Sequence, residues 1–226
     1  MNIFLYTKMN MNNLKREQAY QKLRDSITFG DLKPGEKLVE KAVCEMFDIG
    51  RTPLREALRQ LQMEGYIEVS PNKGAVIRKM SIDELDNVYD VLALLEGYAA
   101  EMAVKNITAS RLAELKKIAK ETRKAANASD HRSWFLKNDN FHFYLIDLAG
   151  NPILTEEIRK FRRRIYRYRA LALTLQGNID NLAQQHEDVV IKAAQKKAKE
   201  ASLAMKQHVE WTKGLLISFL KQNSWI

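Results

Sequence analysis

Residues 49–65 read Ile-Gly-Arg-Thr-Pro-Leu-Arg-Glu-Ala-Leu-Arg-Gln-Leu-Gln-Met-Glu-Gly. The stretch carries start and stop signals for one helix. Thr52 suits an N-cap, Pro53 suits the first helical position, and Glu56 sets a carboxylate near the positive end of the helix dipole. Gly65 suits the position just past the C-terminus. Between them Leu54, Ala57, Leu58 and Leu61 recur at helical spacing, which predicts an amphipathic helix over about 53–64. Arg51, Thr52, Arg55, Arg59 and Gln62 fall on the opposite, polar face. Arg51 and Arg55 are four residues apart, so they project together at its N-terminal end.

Upstream, Tyr20, Leu23 and Ile27 predict a helix over about 14–29. Asp31 to Gly35 reads as a turn. A short second helix is expected over about 39–47, with Ala42, Val43 and Phe47 facing inward. Downstream, Tyr66 to Val69 alternates like a strand, Pro71 to Gly74 reads as a turn, and Ala75 to Ile77 returns as a second strand. Three helices followed by a hairpin make a winged helix-turn-helix. Such readers lay the N-terminal part of the third helix in the major groove, where the fork of an Arg matches O6 and N7 of guanine.

The chain has 226 residues, 46% of them hydrophobic, enough for two modest domains with real cores. A single cysteine, Cys44, excludes an internal disulfide and fits a reducing, cytoplasmic setting. No apolar run approaches the ~20 residues that a membrane helix needs, so no membrane association is expected. The apolar run Ile3 to Tyr6 is too short for a signal peptide. Formal net charge is +9, which invites a polyanionic partner. Of the four prolines, three lie before residue 72, and glycines crowd the same third. The texture then changes to long helical stretches. We therefore expect a ragged segment 1–13, a DNA-binding domain 14–79 and an all-α antiparallel helical domain 80–226.

In that second domain Ser81 and Glu84 form a capping-box pattern, and Leu85, Val88, Leu92, Leu95 and Ala99 make one stripe. Further helices are expected over about 109–127, 130–149, 152–175, 179–195 and 199–222. The fourth helix of this domain carries a seam of Ile158, Phe161, Ile165, Tyr168, Ala172 and Leu175. Three of the four histidines form a candidate set. Asn138 and His142 are four apart on one helix. His186 and His208 each lie about ten residues, or ~15 Å along a helix, from a turn near Lys196-Lys197. An antiparallel hairpin brings those two level. Three imidazoles and one oxygen donor suit a divalent transition metal, with zinc, nickel and manganese as candidates. No His-Glu-x-x-His helix occurs, and no enzymatic role is expected.

Leu32-Lys-Pro-Gly-Glu-Lys-Leu-Val-Glu40, Ile49 to Leu61, Glu64-Gly-Tyr-Ile67 and Asn72-Lys-Gly-Ala-Val76 resemble the GntR family of transcription factors. The resemblance implies DNA contacts at Lys41, Arg51, Thr52 and Arg55, with Gly74 at the wing tip; Arg59 joins them from the polar face of the third helix. The family usually has Arg at the position of Lys41 and Ser or Thr at that of Gly50. Asn138-Asp-Asn-Phe-His142, Leu148-Ala-Gly-Asn-Pro152, His186 and Met205-Lys-Gln-His208 resemble the effector domain of the FadR subfamily. There an Asp and three His hold a metal that a small carboxylate completes. The Asp position falls on Asn138 here, and Leu92 stands where an Arg is common. Arg162 and Arg169, flanking the seam, are expected to compensate as effector-binding cations. Helix-turn-helix readers meet two half-sites about one helical turn apart with a two-fold protein, so a homodimer on a palindromic operator is expected, and the resemblance implies modulation by a small organic acid.

Overall fold

The computed structural model describes residues 3–70, 74–128, 130–173 and 178–222; for 3–13 and 172–173 it gives the course of the backbone. Two compact units emerge, Met1–Met80 and Ser81–Ile226.

The first unit contains α1 (Ile3–Phe29), β1 (Lys37–Leu38), α2 (Glu40–Phe47), α3 (Arg51–Met63), β2 (Ile67–Ser70) and β3 (Gly74–Ile77). Helix α1 begins at Ile3 rather than Leu14, because 3–13 contain no Pro or Gly to stop it. Helix α3 begins earlier than Thr52 suggests. Gly50 is its N-cap, without a side-chain bond, and Thr52 and Pro53 lie inside the first turn. Pro53 fits because first-turn amides have no intrahelical acceptor; the ladder opens with the Leu54 N–H on the Gly50 carbonyl at 3.1 Å. At the other end Gly65 takes φ +81°. The Gly65 N–H then donates to the Gln62 carbonyl at 3.0 Å and the Tyr66 N–H to that of Leu61 at 2.9 Å, a Schellman closure.

Strand β3 is central, antiparallel to both β1 and β2 in the order β1-β3-β2. Strand β1 was not expected, since two residues are too few to show alternation. The turn expected at Pro71 to Gly74 lies, except for Gly74, outside the described residues. In α2 only Val43 is buried; Phe47 is half-buried and Ala42 is exposed, contrary to expectation. Leu23, Ile27, Leu54, Leu61, Ile67 and Ile77 form the core. The Tyr20 hydroxyl ties α1 to the end of α3 by donating to Glu64 at 2.6 Å.

The second unit is all-helical: α4 (Ile82–Asn106), α5 (Ala109–Asn127), α6 (His131–Leu148), α7 (Pro152–Arg164), α8 (Tyr166–Leu173), α9 (Ile179–Ala194) and α10 (Ala198–Gln222). Side-chain caps set four of the starts. Ser81 accepts from Glu84 N at 3.1 Å, Thr108 from Arg111 N, Asp130 from Ser133 N, and Asn151 from Leu154 N. Helix α10 packs along α4, and Gly97 permits the close approach: a Cβ there would lie 3.1 Å from the Ser202 carbonyl. The single helix expected over 152–175 is two. Ile165 breaks it at φ −104°, its N–H reaching only to 3.3 Å from the Phe161 carbonyl. The break falls between Arg162 and Arg169, which reach the same carboxylate. The end of that expected helix, Thr174 and Leu175, lies outside the described residues. Among the described residues no helix is long and apolar enough to cross a membrane.

Gly65→Ala forces a Cβ into the left-handed region and should destabilise the first unit by about 1–2 kcal/mol. Calorimetry should show its transition lowered with that of the helical unit unchanged; equal stability would refute the role given to this glycine.

Candidate DNA-reading surface and buried histidine centre

Helix α3 has two unlike faces. Leu54, Ala57, Leu58 and Leu61 are buried, Leu54 and Leu61 completely. Arg51, Thr52, Arg55, Arg59 and Gln62 are exposed. Lys41, second in α2, and Gly74, at the start of β3 with φ +72°, are exposed as well. The six expected contacts therefore all reach solvent on the first unit. Arg55 is not idle there: its Nε and NH2 donate to the Glu40 carboxylate at 2.9–3.1 Å. Glu40 was not among the expected residues, because fifteen positions separate the pair and only the α2–α3 turn brings them together.

The helical unit buries a histidine centre. His142 comes from α6, His186 from α9 and His208 from α10. Their Nε2 atoms converge: His186 lies 3.3 Å from His142 and 3.3 Å from His208. The antiparallel α9–α10 hairpin, turning at Lys196 with φ +58°, sets the latter two level. Two nitrogens each ~2.0–2.1 Å from one tetrahedral ion would stand about 3.3–3.4 Å apart, so the spacing fits a zinc-like ion.

The outward edges of two rings are fixed. Glu96 Oε2 accepts from His142 Nδ1 at 2.6 Å, and Gln185 Oε1 from His208 Nδ1 at 2.8 Å. With the proton on Nδ1, each Nε2 presents a lone pair inward, as a metal-ligating imidazole requires. His186 differs: its Nδ1 has no partner among the described residues. Phe141 stacks on its ring at 4.2 Å between centroids and Trp134 lies parallel at 6.4 Å. Burial, then the charge of Arg162, holds His142 well below the ordinary histidine range. Burial and the two neighbouring imidazoles do the same to His186, and burial pushes His208 down to about 4. All three are neutral at pH 7, ready to bind a cation.

Beside the imidazoles lies a buried ion network. Arg162 donates to Glu96 Oε1 at 2.5 Å and to Asp139 Oδ1 at 3.0 Å; Arg169 donates to the same Asp139 oxygen at 2.5 Å. Two cations face two anions, so this network is balanced. Asn138, His142, His208, Arg162 and Arg169 line one small cavity of ≈ 20 Å³, with Glu96, Tyr89 and Leu92. That is room for about one water-sized species. Three donors on its wall have no partner among the described residues: Tyr89 Oη, Arg162 Nε and Arg169 NH1. Burial pushes the Tyr89 hydroxyl up, keeping it a donor.

Asn138 is thus brought to the cavity, whereas Asp139 turns to the arginines, as the ~100° between successive helical residues dictates. Arg162 and Arg169 do face inward, against the same cavity as Leu92. Glu96, Gln185 and Tyr89 were not read as site residues. A positional signal exists for each: Tyr89 and Glu96 lie on the α4 face that carries Leu92, and Gln185 precedes a candidate ligand.

Comparison with known proteins adds independent weight. The model of the gntR family of bacterial regulatory proteins matches residues 15–77, and that of the FCD domain matches residues 87–210. The chain is 29% identical over 193 residues to an uncharacterised HTH-type transcriptional regulator, YdhC, of Bacillus subtilis, covering 85% of this chain and 84% of that one. It is 26% identical over 218 residues to the HTH-type transcriptional repressor RspR of Escherichia coli, covering 96% of each. The solved structure of E. coli McbR/YncC shares the fold, with a TM-score of 0.77 at 21% identity over 91% of this chain and 98% of that one. Reader and helical unit are both accounted for, and the relatives are regulators rather than enzymes: the chain belongs to the GntR family of DNA-binding transcriptional regulators, with a C-terminal FCD domain.

Proposed function

We propose that this regulator works as a cytoplasmic homodimer whose grip on a palindromic operator responds to a small organic acid bound at a metal in the helical unit. Lys41, Arg51, Thr52, Arg55, Arg59 and Gly74 are the DNA contacts in this reading. His142, His186 and His208 hold the divalent ion, with the amide oxygen of Asn138 as a weaker fourth donor; three nitrogens favour zinc or nickel over manganese. The convergence of three neutral imidazoles, two of them with Nδ1 already held, carries the proposal.

Charge supports an anionic effector. The ion network is balanced without a metal, so a divalent ion adds two uncompensated positive charges in a buried site. When bound, that ion supplies the centre on which a carboxylate sits. Arg162, Arg169 and Tyr89 offer the unpartnered donors around it. The cavity is too small for an acid of several heavy atoms, so its walls must part to admit one. That requirement couples effector binding to helix packing, and through it to the reader. Val91, Leu94 and Tyr98 recur at helical spacing on α4 and are exposed, and Leu203 is exposed on α10, which packs along α4; this apolar exposure supports a two-fold pairing.

Replacing Arg51 and Arg55 together by Ala should abolish sequence preference in gel shifts while leaving salt-sensitive binding; retained preference would remove both from the reader. Isothermal titration with zinc or nickel should show one site per chain, weakened at least about tenfold by His208→Ala or His186→Ala. No metal binding by the wild-type protein, together with no thermal shift from any carboxylate, would end the metal reading.

The metal-free protein should also lose stability in acid. The buried histidines bind protons less readily than their unfolded counterparts at about 6.5. Between 6.5 and about 4, where His208 titrates, the unfolded chain binds more protons than the native one. Stability is therefore intact above pH 7 and falls as pH drops through that window. Urea unfolding at pH 7.5 and 5.0 checks this, and His208→Gln should reduce the difference.

A further inference from the structure

We propose that Glu40 is a positioning residue of the DNA reader, holding the Arg55 guanidinium so that its free edge presents to a guanine. The inference rests on Arg55 being a base contact.

An arginine guanidinium has two edges that can act as a two-donor fork. One is formed by Nε–H with one N–H of NH2, the other by NH1 with the second N–H of NH2. Glu40 occupies the first edge: Nε donates to Oε1 at 2.9 Å and to Oε2 at 3.1 Å, and NH2 donates to Oε2 at 3.0 Å. The second edge remains, on a side chain that is 62% exposed. Either edge has the spacing to meet O6 and N7 of guanine, and with the first taken by Glu40 the end-on fork is the one left to do so. Glu40 is itself well placed, as the first residue of α2, where the positive end of the helix favours a carboxylate. Two helices of the reader thus fix one guanidinium plane before DNA arrives. Fixing it beforehand lowers the ordering cost of binding. The pair lies on the exposed surface that carries Lys41, Arg51 and Arg59, so its carboxylate also opposes indiscriminate binding to phosphate.

An exposed ion pair contributes little to stability, so Glu40→Gln and Glu40→Ala should fold as wild type, which thermal unfolding checks. The full-length protein and both variants are used to select from a randomised duplex pool, and binding to a selected and an unrelated duplex is measured across salt. We expect the guanine preference lost in Arg55→Ala to fall by about tenfold in both Glu40 variants, with binding to unrelated DNA unchanged or stronger. Glu40→Asp keeps the charge but is one methylene too short, and should lose the preference without the gain on unrelated DNA.

Two outcomes overturn the inference. If the Glu40 variants keep the full preference and bind all DNA more tightly, Glu40 sequesters Arg55 rather than aiming it. If nothing changes while Arg55→Ala loses its guanine, the pair is a surface contact only. Should Arg55→Ala itself leave every preference intact, the reading of Arg55 fails, and the inference with it.

Discussion

One carboxylate ties the helical unit together. Glu96 is almost fully buried, and each of its oxygens answers a different demand. Oε2 holds the Nδ1 edge of His142 and Oε1 takes the guanidinium of Arg162. A buried carboxylate is tolerable only when both oxygens are satisfied by charged or strongly polar donors. Glu96 alone therefore links helices α4, α6 and α7. Asp139 extends the network to α8 through Arg169. The histidines bring in α9 and α10. Such networks are weak evidence for stability, since a well-packed apolar cluster of the same volume would often hold the helices as well. What the network supplies is a pair of arginines beside three imidazoles, held at a fixed distance with no net charge of their own.

For the proposed ion, the centre would have two electrostatic states. Without an ion, neutral imidazoles and paired charges leave a small, balanced cavity. Were an ion bound, the same groups would surround an excess of positive charge, with the unpartnered donors of Tyr89, Arg162 and Arg169 beside it. Arg162 and Arg169 bring their charges from helices later in the chain.

The reader obeys a simpler constraint. Helix α3 must bury one face against α1 and the sheet, and everything that reaches solvent lies on the other. Core packing thus dictates which side chains are free to meet DNA. The Schellman closure at Gly65 ends the helix where the strand must begin, and the start at Gly50 leaves Arg51 in the first turn. The Glu40 pairing is a second layer on this arrangement, since it depends on the angle between α2 and α3.

Much of this was written locally in the chain. The apolar period of α3, the Gly65 stop, the caps at Ser81 and Asn151, and the even spacing of His186 and His208 about their turn are all short-range patterns. Periodicity and capping act over a few residues, so the sequence by itself determined the helices, the wing's two main strands and the levelling of two histidines. It missed β1, whose two residues are strand only because β3 lies beside them. It joined α7 to α8, because nothing in the run of arginines signals the break at Ile165. It turned Ala42 inward on a helix too short for its period to fix a face. Above all, only the tertiary structure decided which charges meet. Glu96 with His142, Asp139 with Arg169 and Glu40 with Arg55 are separated by 46, 30 and 15 positions. Such pairings have no sequence period; they form because burial leaves a charged group no alternative partner, or because two helices cross at one angle and not another.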